Sequence, residues 1–551
     1  MRYLLLLLLA FAQPLLAAAP GKDAIASAHP LATAAGLEVL KAGGNAFDAA
    51  IAVSAALAVV EPSGSGIAGG GLYLLHRASD GRNLVIDARE VAPSASTRDM
   101  FLDASGNPVP RLSTDSALAA GIPGEPAGMG LLQASYGKLS LAQNLAPAIK
   151  LARDGFPIYE RLTDGIERKK RQFLKSKEAE RIWFRGGKAA PVGTIIRQPE
   201  LARTLSLLAK NGMQAFYEGP LAKQMVKGVS GMNGIWTEAD LAGYRALERE
   251  PLVGAYRDAK VISVPPPSSG GIALIEALNV LSGYDLASYD SATRKHLIAE
   301  AMRRMQRDRA VYLGDTAFVK VPIETLVSPV YAAGLRTSIR LDKATASAAL
   351  SDAPVAAPVG MQTTHFSVLD KDGNRVAATI TLNAGFGSGL MIPGTGLILN
   401  NQMDDFSMKP GVPNIYGLIG AAANQIEPGK RMLSSVTPTF VESPRGFMIT
   451  GSPGGSYITG MVLLATLNWI DGMSVEQIVA APRIHHQYMP DVLQVESSAL
   501  VGNERAELEK RGHQLRVVQG WGNMQAITFD AATGAVQAAS DPRGVGSGLV
   551  Y

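Results

Sequence analysis

The sequence predicts a mixed α+β fold, and three observations support this prediction. Residues 31–60 have the composition of two successive helices, and residues 100–340 are mostly helical in pattern. Residues 71–75 and 84–87 are apolar segments typical of paired strands, and residues 363–383 have the pattern of a β-hairpin. A chain of 551 residues is long enough to bury a large core.

The two N-terminal helices are predicted from their ends as well as from their apolar content. Residues 31–42 form the first, which Gly43 and Gly44 end. Asn45 is a capping residue for the second helix, and Asp48 follows three positions later, as in a capping box. The second helix, residues 46–60, is almost entirely apolar, so we expect it to be buried on most sides.

A glycine-rich run at residues 64–71 matches the G-x-G-x-x-G pattern of dinucleotide-binding loops, and Asp87 lies near the acidic position of that pattern. The nucleotide motif requires a strand before the glycines and a helix after them. Here a predicted helix precedes the run and a strand pair follows it. The order favours a tight crossing from helix to sheet, where side chains do not fit.

The hairpin at residues 363–383 gathers small polar side chains at its open end. Asp372-Gly373 is a strong turn signal, and a loop of residues 371–373 pairs Asp370 with Asn374. The same register places Thr363 opposite Thr381, with Asn383 on the same face. This arrangement of polar side chains indicates a functional site and not a purely structural hairpin.

The segment before the hairpin suggests a chemistry for it. Residues 337–362 are rich in Ala, Ser and Pro without any period, which is typical of a mobile surface segment. In an autoprocessing enzyme the Thr363 hydroxyl would attack the Gln362 carbonyl and leave Thr363 as a new N-terminus. Its α-amine, with a reference pKa of roughly 7.7–8.0, would serve as a general base at neutral pH. The alternative is a linker followed by an ordinary edge hairpin.

Composition excludes several other functions. The chain is 47% hydrophobic and 18% charged, with a net charge of +4, so nothing indicates nucleic-acid binding. The basic run at residues 168–171 is expected to be a solvated helix face. Zero cysteines exclude disulfides, thiolate metal sites and a cysteine nucleophile.

The first 19 residues are predicted to be a secretory signal peptide. Arg2 is followed by a short apolar core and then by Ala17-Ala18-Ala19. That core is too short to span a bilayer comfortably, and no later segment is long and apolar enough to do so. We therefore expect a periplasmic or secreted protein without a stable membrane span.

No metal or cofactor site is predicted. Asp404 and Asp405 are adjacent carboxylates without a nearby third ligand, which makes a poor cation site. His485 and His486 diverge on a strand or a helix, and the histidines form no evident site. His365, two residues from Thr363, is expected to be a packed, hydrogen-bonded histidine.

Several motifs together resemble the γ-glutamyltranspeptidase family, in the same order and at similar spacing. They are residues 363–368 (TTHFSV), 381–383 (TLN), 399–406 (LNNQMDDF), 433–435 (LSS) and 451–456 (GSPGGS). The resemblance covers nearly the whole chain after the leader. It implies a four-layer αββα sandwich of the N-terminal-nucleophile hydrolase type. It also implies a large subunit (residues 20–362) and a small catalytic subunit (363–551), intertwined as a heterodimer.

The resemblance also implies a role for each candidate residue. Thr363 is the nucleophile, Thr381 orients its hydroxyl, and the amides of Gly454 and Gly455 form the oxyanion hole. Other positions bind the amino-acid head of the substrate: Arg89, Ser434 and Ser435 its α-carboxylate, and Asp405, Gln402 and Asn383 its α-ammonium. Residues 414–417 match a lid loop, with Tyr416 as the covering residue.

The expected activity is γ-glutamyl transfer and hydrolysis without a cofactor. The donor would be glutathione or a related γ-glutamyl compound, and the acceptor would be water, an amino acid or a dipeptide. Two alternatives remain: a cephalosporin acylase of the same family that acts on glutaryl side chains, and an unprocessed protein that binds γ-glutamyl compounds without turnover.

Overall fold

The computed structural model describes residues 19–350 and 362–551. The predicted signal peptide, except Ala19, and residues 351–361 of the predicted linker lie outside the described residues. Among the helices in the described ranges, none has both the length and the apolar character needed to cross a membrane.

Strands occur throughout the described part of the chain and are numbered in chain order. They are β1 (Ala24–Ser27), β2 (Gly70–Arg77), β3 (Arg82–Ala88), β4 (Phe156–Pro157), β5 (Phe184–Arg185), β6 (Lys188–Ala189), β7 (Ile195–Ile196), β8 (Leu247–Arg249), β9 (Leu252–Tyr256), β10 (Ala259–Ser263), β11 (Thr364–Leu369), β12 (Arg375–Thr381), β13 (Thr439–Ser443), β14 (Gly446–Gly451), β15 (Ile484–His486), β16 (Leu493–Glu496), β17 (Leu515–Val518), β18 (Gln525–Asp530), β19 (Val536–Ser540) and β20 (Ser547–Val550).

The helices are concentrated before residue 340, as the sequence predicts. They are α1 (Pro30–Lys41), α2 (Ala46–Val60), α3 (Leu112–Asp115), α4 (Glu125–Tyr136), α5 (Leu141–Asp154), α6 (Glu160–Arg168), α7 (Lys170–Phe173), α8 (Lys177–Trp183), α9 (Pro199–Asn211), α10 (Pro220–Ser230), α11 (Glu238–Gly243), α12 (Gly270–Leu281), α13 (Ser291–Tyr312), α14 (Ile323–Leu326), α15 (Pro329–Arg336), α16 (Ile458–Ile470), α17 (Val475–Ala480) and α18 (Glu504–Lys510).

The two large sheets stack face to face between layers of helices. Within the described residues the first sheet has the order β20-β1-β11-β12-β2-β3-β8, and the second has the order β19-β18-β14-β13-β10-β9. Helix α2 packs on β11 and β12, which in turn pack on β14; helices α12 and α16 cover the far face of the second sheet. The predicted four-layer αββα order is therefore confirmed.

Strands from both sides of residue 363 pair with each other within each sheet. Strands β11 and β12 lie between β1 and β2 of the first sheet, and β10 pairs with β13 in the second. If the chain is cut before Thr363, the two fragments remain joined by hydrogen bonds in both sheets and by one shared core.

The first helices and the glycine run match their predictions. Asn45 and Asp48 form the capping box of α2, and every residue of this helix is buried. The glycines lie in the crossing from α2 to β2, where a Cβ atom on Gly69 would come within 2.2 Å of the Thr381 carbonyl oxygen. A helix precedes this run and a strand follows it, so it lacks the context of a nucleotide-binding loop.

Strands β8, β9 and β10 were not predicted, because residues 100–340 were assigned mainly to helices. Strands β9 and β10 form a tight hairpin around Arg257 and Asp258, and Arg257 takes the left-handed conformation with φ of 54°. Without Gly or Asn, the two-residue turn carries no sequence signal for a hairpin.

Candidate active site

Thr363 immediately precedes β11, and its hydroxyl faces that of Thr381. The two Oγ1 atoms are 3.3 Å apart, and both side chains are buried. Thr381 Oγ1 accepts a hydrogen bond from the Asn383 N–H at 2.8 Å, so its own proton is free to be donated to Thr363. The strand register, with Thr364 opposite Ile380, confirms the predicted placement of Thr381.

The backbone of Thr363 has an unusual conformation. Its φ angle is 147°, a region that β-branched residues rarely adopt and that costs about 1–3 kcal/mol. Thr363 is still bonded to Gln362 here, so the strain lies directly beside the peptide bond predicted to be cut. Breaking that bond would free this torsion.

His365 shares the face of Thr363 but has hydrogen-bond partners of its own. Its Nδ1 lies 2.8 Å from Thr379 Oγ1 and its Nε2 lies 3.2 Å from Ser367 Oγ. Burial lowers the pKa of His365 to about 3, so the ring is neutral. The prediction that His365 is a packed, hydrogen-bonded histidine is confirmed. An imidazole with so low a pKa is a poor base for Thr363.

Arg89 and Asp405 form a buried ion pair. Asp405 lies in the short 3₁₀ turn Gln402–Asp405, where Gln402 Nε2 donates to its Oδ2 at 3.0 Å. Arg89 lies at the end of β3 and donates to the same oxygen. The family resemblance implies that these two residues bind opposite charges of one substrate head group; in the structure they neutralise each other.

Glu90 adds a carboxyl group beside this pair. Its Oε2 lies 3.4 Å from Arg89 NH1, and burial raises the pKa of Glu90 to about 8 although Arg89 opposes the shift. Burial also raises the pKa of Asp405, against the charges of Arg89 and Arg309. At neutral pH Glu90 is mostly protonated, so Asp405 is the main partner of Arg89.

The predicted lid residue covers the site. Tyr416 is 3% exposed, and its hydroxyl donates to the Asn383 carbonyl at 2.6 Å. The preceding Ile415 N–H donates to Asp404 Oδ2 at 2.9 Å. Asp404, treated above as a possible cation ligand, thus fastens the lid, and burial raises its pKa to about 7.

Gly454 and Gly455 lie in the turn that leads from β14 to α16. Gly454 has φ of 141° and Gly455 has φ of 56°, and a Cβ atom on Gly455 would come within 2.4 Å of the Tyr416 ring. Neither amide N–H has an acceptor among the described residues. Both amides are available to a ligand, as an oxyanion hole requires.

Ser434 and Ser435 are held by the loop before α12. The Ser434 N–H donates to the Pro267 carbonyl at 2.8 Å, and the Ser269 N–H donates to the Ser434 carbonyl at 2.9 Å. Beside them, Arg89 Nε donates to the Met432 carbonyl at 3.4 Å. This brace fixes both serines in the segment that contacts Arg89, and both serines line the same cavity as Arg89.

All candidate residues except Gly454 line one small cavity. Its lining is Arg89, Thr363, Thr381, Asn383, Gln402, Asp405, Tyr416, Leu418, Ser434, Ser435, Val436, Gly455 and Ile458. The free space is about 20 Å³, room for about one water molecule. A larger cleft of about 750 Å³ beside α7 and α8 contains none of the candidate residues.

The sequence did not predict one cluster of histidines. His296, Glu300 and His513 are buried with potential ligand atoms within 4.8 Å of one another. Each already has a partner: His296 Nε2 donates to the Arg340 carbonyl, His296 Nδ1 lies 2.8 Å from His513 Nε2, and Glu300 pairs with Arg304. A metal ion would have to displace these contacts beside two arginine charges.

Comparison with known proteins identifies the family. Residues 32–551 match the family model of γ-glutamyltranspeptidase. The chain is 43% identical to the glutathione hydrolase proenzyme of Escherichia coli, over 95% of this chain and 90% of that protein. It is 36% identical to the acylase ACY 1 proenzyme of a Pseudomonas strain, over 97% and 95%.

A solved structure agrees with the fold. The cephalosporin acylase of Bacillus halodurans superposes with a TM-score of 0.83 at 29% identity, covering 96% of this chain and 95% of that one. The match spans both predicted fragments, and the four-layer order is that of the N-terminal-nucleophile hydrolases. This chain belongs to the γ-glutamyltranspeptidase family and is an enzyme of that family.

Proposed function

We propose that this enzyme is an autoprocessing γ-glutamyltransferase and glutathione hydrolase in which Thr363 is the nucleophile. The observation that carries the proposal is the buried Arg89–Asp405 pair in the same cavity as the facing hydroxyls of Thr363 and Thr381. A cation and an anion placed together match the carboxylate and ammonium of an amino-acid head group.

Maturation is the first proposed step. Thr363 Oγ1 attacks the carbonyl carbon of Gln362, and the acyl group passes from the Thr363 nitrogen to its oxygen as the peptide bond breaks. Water then hydrolyses this ester, which leaves a carboxylate on Gln362 and a free α-amine and hydroxyl on Thr363. The products are a large fragment from the leader to residue 362 and a small fragment of residues 363–551.

The mature site then transfers a γ-glutamyl group. The Thr363 amine takes the proton of Oγ1 as this oxygen attacks the γ-carbonyl, and Thr381 holds the hydroxyl in place. The amides of Gly454 and Gly455 stabilise the tetrahedral oxyanion. The leaving amine receives the proton, and water, an amino acid or a dipeptide resolves the γ-glutamyl ester.

Substrate binding exchanges partners within the head-group pocket. The α-carboxylate of the substrate binds Arg89, Ser434 and Ser435. Its α-ammonium binds Asp405, Gln402 and Asn383. Glutathione has such a head group, and the name of the E. coli relative agrees with this donor. Tyr416 closes over the bound head.

A periplasmic or secreted location is part of the proposal. It is supported by the predicted signal peptide at residues 1–19 and by a sequence without cysteine. Cleavage of the leader would place the enzyme where extracellular γ-glutamyl compounds are found.

The test is release of p-nitroaniline from γ-glutamyl-p-nitroanilide, with and without glycylglycine. We expect hydrolysis alone and faster release with the acceptor, and we expect two bands on a denaturing gel. Thr363→Ala should stay one chain and be inactive. N-terminal sequencing of the small band that starts anywhere but Thr363 refutes the maturation step, and a single wild-type band favours the binding-protein alternative.

A further inference from the structure

Arg309 of α13 is a buried cation without a direct salt bridge among the described residues. It is 5% exposed, its Nε has no hydrogen-bond acceptor, and no described residue forms an ion pair with it. The neighbouring arginines of α13 do have carboxylate partners: Arg304 pairs with Glu300 at 2.6 Å, and Arg307 pairs with Asp308. Because a buried unpaired charge is costly, an isolated guanidinium indicates a function.

The end of α13 lies against the active site. One turn before Arg309, on the same helix face, Gln306 Nε2 donates to the carbonyl of Ser456, the residue after Gly455. Just beyond the helix, Gly314 abuts the carbonyl of Ala423. The adjacent Asn424 donates through Nδ2 to the Asp405 carbonyl at 2.7 Å. Arg309 lies between these two contacts.

Asp405 is the acidic group whose charge acts on Arg309. Burial lowers the pKa of Arg309 to about 10, Asp405 opposes that shift, and the guanidinium stays protonated at neutral pH. In return Arg309 opposes the burial that raises the pKa of Asp405. The two side chains form no direct salt bridge in the structure.

We propose that Arg309 is a positioning residue that keeps Asp405 negatively charged while substrate occupies the head-group pocket. The inference rests on the proposed function, in which Asp405 binds the α-ammonium. In the structure Arg89 stabilises the carboxylate of Asp405. When the substrate carboxylate draws Arg89 away, Arg309 remains as a nearby cation, and no other described carboxylate forms a salt bridge with it.

The other groups around Asp405 do not take over this role. Glu90 faces it from the end of β3, Asp404 and Gln402 from its own turn, and Tyr416 from the lid. Glu90 and Asp404 are carboxyls whose ionisation would oppose that of Asp405, and Gln402 is neutral. Among the described residues, Arg89 and Arg309 are the cations that act on this carboxylate.

The test compares Arg309→Met and Arg309→Lys with wild type, and with Arg307→Met as a matched control on the same helix. The readout is kcat and KM for γ-glutamyl-p-nitroanilide as a function of pH. Without the Arg309 charge the pKa of Asp405 rises, so the ratio of mutant to wild-type kcat/KM should fall about tenfold as the pH is lowered. KM should rise while kcat at saturation stays near wild type, lysine should restore the profile, and Arg307→Met should leave it unchanged.

Thermal unfolding separates this role from a structural one. Arg309→Met removes an unpaired buried charge, so its melting temperature should equal or exceed that of wild type. A wild-type pH profile and KM in Arg309→Met overturns the inference. If Arg309→Met fails to fold, Arg309→Gln, which also removes the charge, takes its place, and a wild-type pH profile and KM in that variant overturns the inference as well. An inactive wild-type enzyme would instead refute the proposed function itself.

Discussion

Replacing Asp405 with asparagine tests recognition of the substrate head group. Asparagine keeps the shape of the side chain and an oxygen that can accept from Gln402, but it removes the charge. A hydrogen bond between the α-ammonium and a charged carboxylate contributes about 1.5–3 kcal/mol. We therefore expect kcat/KM for a γ-glutamyl anilide to fall about ten- to a hundredfold.

A glutaryl anilide should respond in the opposite direction. The glutaryl group has the same carboxylate as the γ-glutamyl group but no ammonium. In wild type its carboxylate must draw Arg89 from Asp405, which leaves a buried carboxylate without its main counter-ion. Asp405→Asn removes that cost, so kcat/KM for the glutaryl substrate should stay constant or rise.

The assay measures initial rates with both anilides for wild type, Asp405→Asn and a control, Asp372→Asn. Asp372 is an exposed partner of Lys138 at 3.3 Å and lies in the hairpin turn far along β11 from Thr363. Equal wild-type kcat/KM values for the two anilides refute the reasoning and favour the glutaryl acylase alternative. An equal loss on both substrates in Asp405→Asn refutes it as well.

Three further predictions concern the nucleophile, the oxyanion hole and pH. Thr381→Val keeps the shape of the side chain but removes the hydroxyl that faces Thr363 at 3.3 Å. We expect kcat to fall about tenfold while the melting temperature changes little. Initial-rate kinetics measures kcat, and calorimetry measures the melting temperature. Gly455→Ala places a Cβ atom against Tyr416 at a left-handed φ, so kcat should fall about 10²–10³-fold, and an unchanged kcat would remove this turn from the mechanism. Burial raises the folded-state pKa of Glu90 to about 8, well above its unfolded value, so the folded protein binds an extra proton near neutrality. The melting temperature of Thr363→Ala should therefore fall from pH 7 to pH 9. This fall should be less steep when Glu90→Gln is added.

Local turn chemistry explains why the hairpin could be predicted. Asp370 N–H donates to the Asn374 carbonyl, Gly373 takes the left-handed conformation with φ of 95°, and the Asp370 carboxylate accepts from the Asn374 N–H at 2.9 Å. These contacts lie within five residues of sequence, so they determine the register without help from the rest of the chain. That register alone brings Thr381 to Thr363.

Long-range electrostatics could not be predicted in the same way. Glu90 follows Arg89 in the sequence, but its raised pKa comes from burial that only the assembled layers create. Arg309 lies in a helix with many other charges, and nothing in its sequence neighbours distinguishes it from Arg304 or Arg307. Only the packed structure shows which of these charges have partners.

The direct pairing of Arg89 with Asp405 also could not be predicted from the sequence, because the two residues are 316 positions apart. The motifs assign each residue to one charge of the substrate. The structure pairs the two residues with each other in a cavity with about 20 Å³ of free space. Binding a zwitterionic head group therefore exchanges one buried ion pair for two, with no net charge added. A ligand with only one of the two charges breaks the same pair but leaves Arg89 or Asp405 unsatisfied, and this difference favours an amino-acid head over a simple acid.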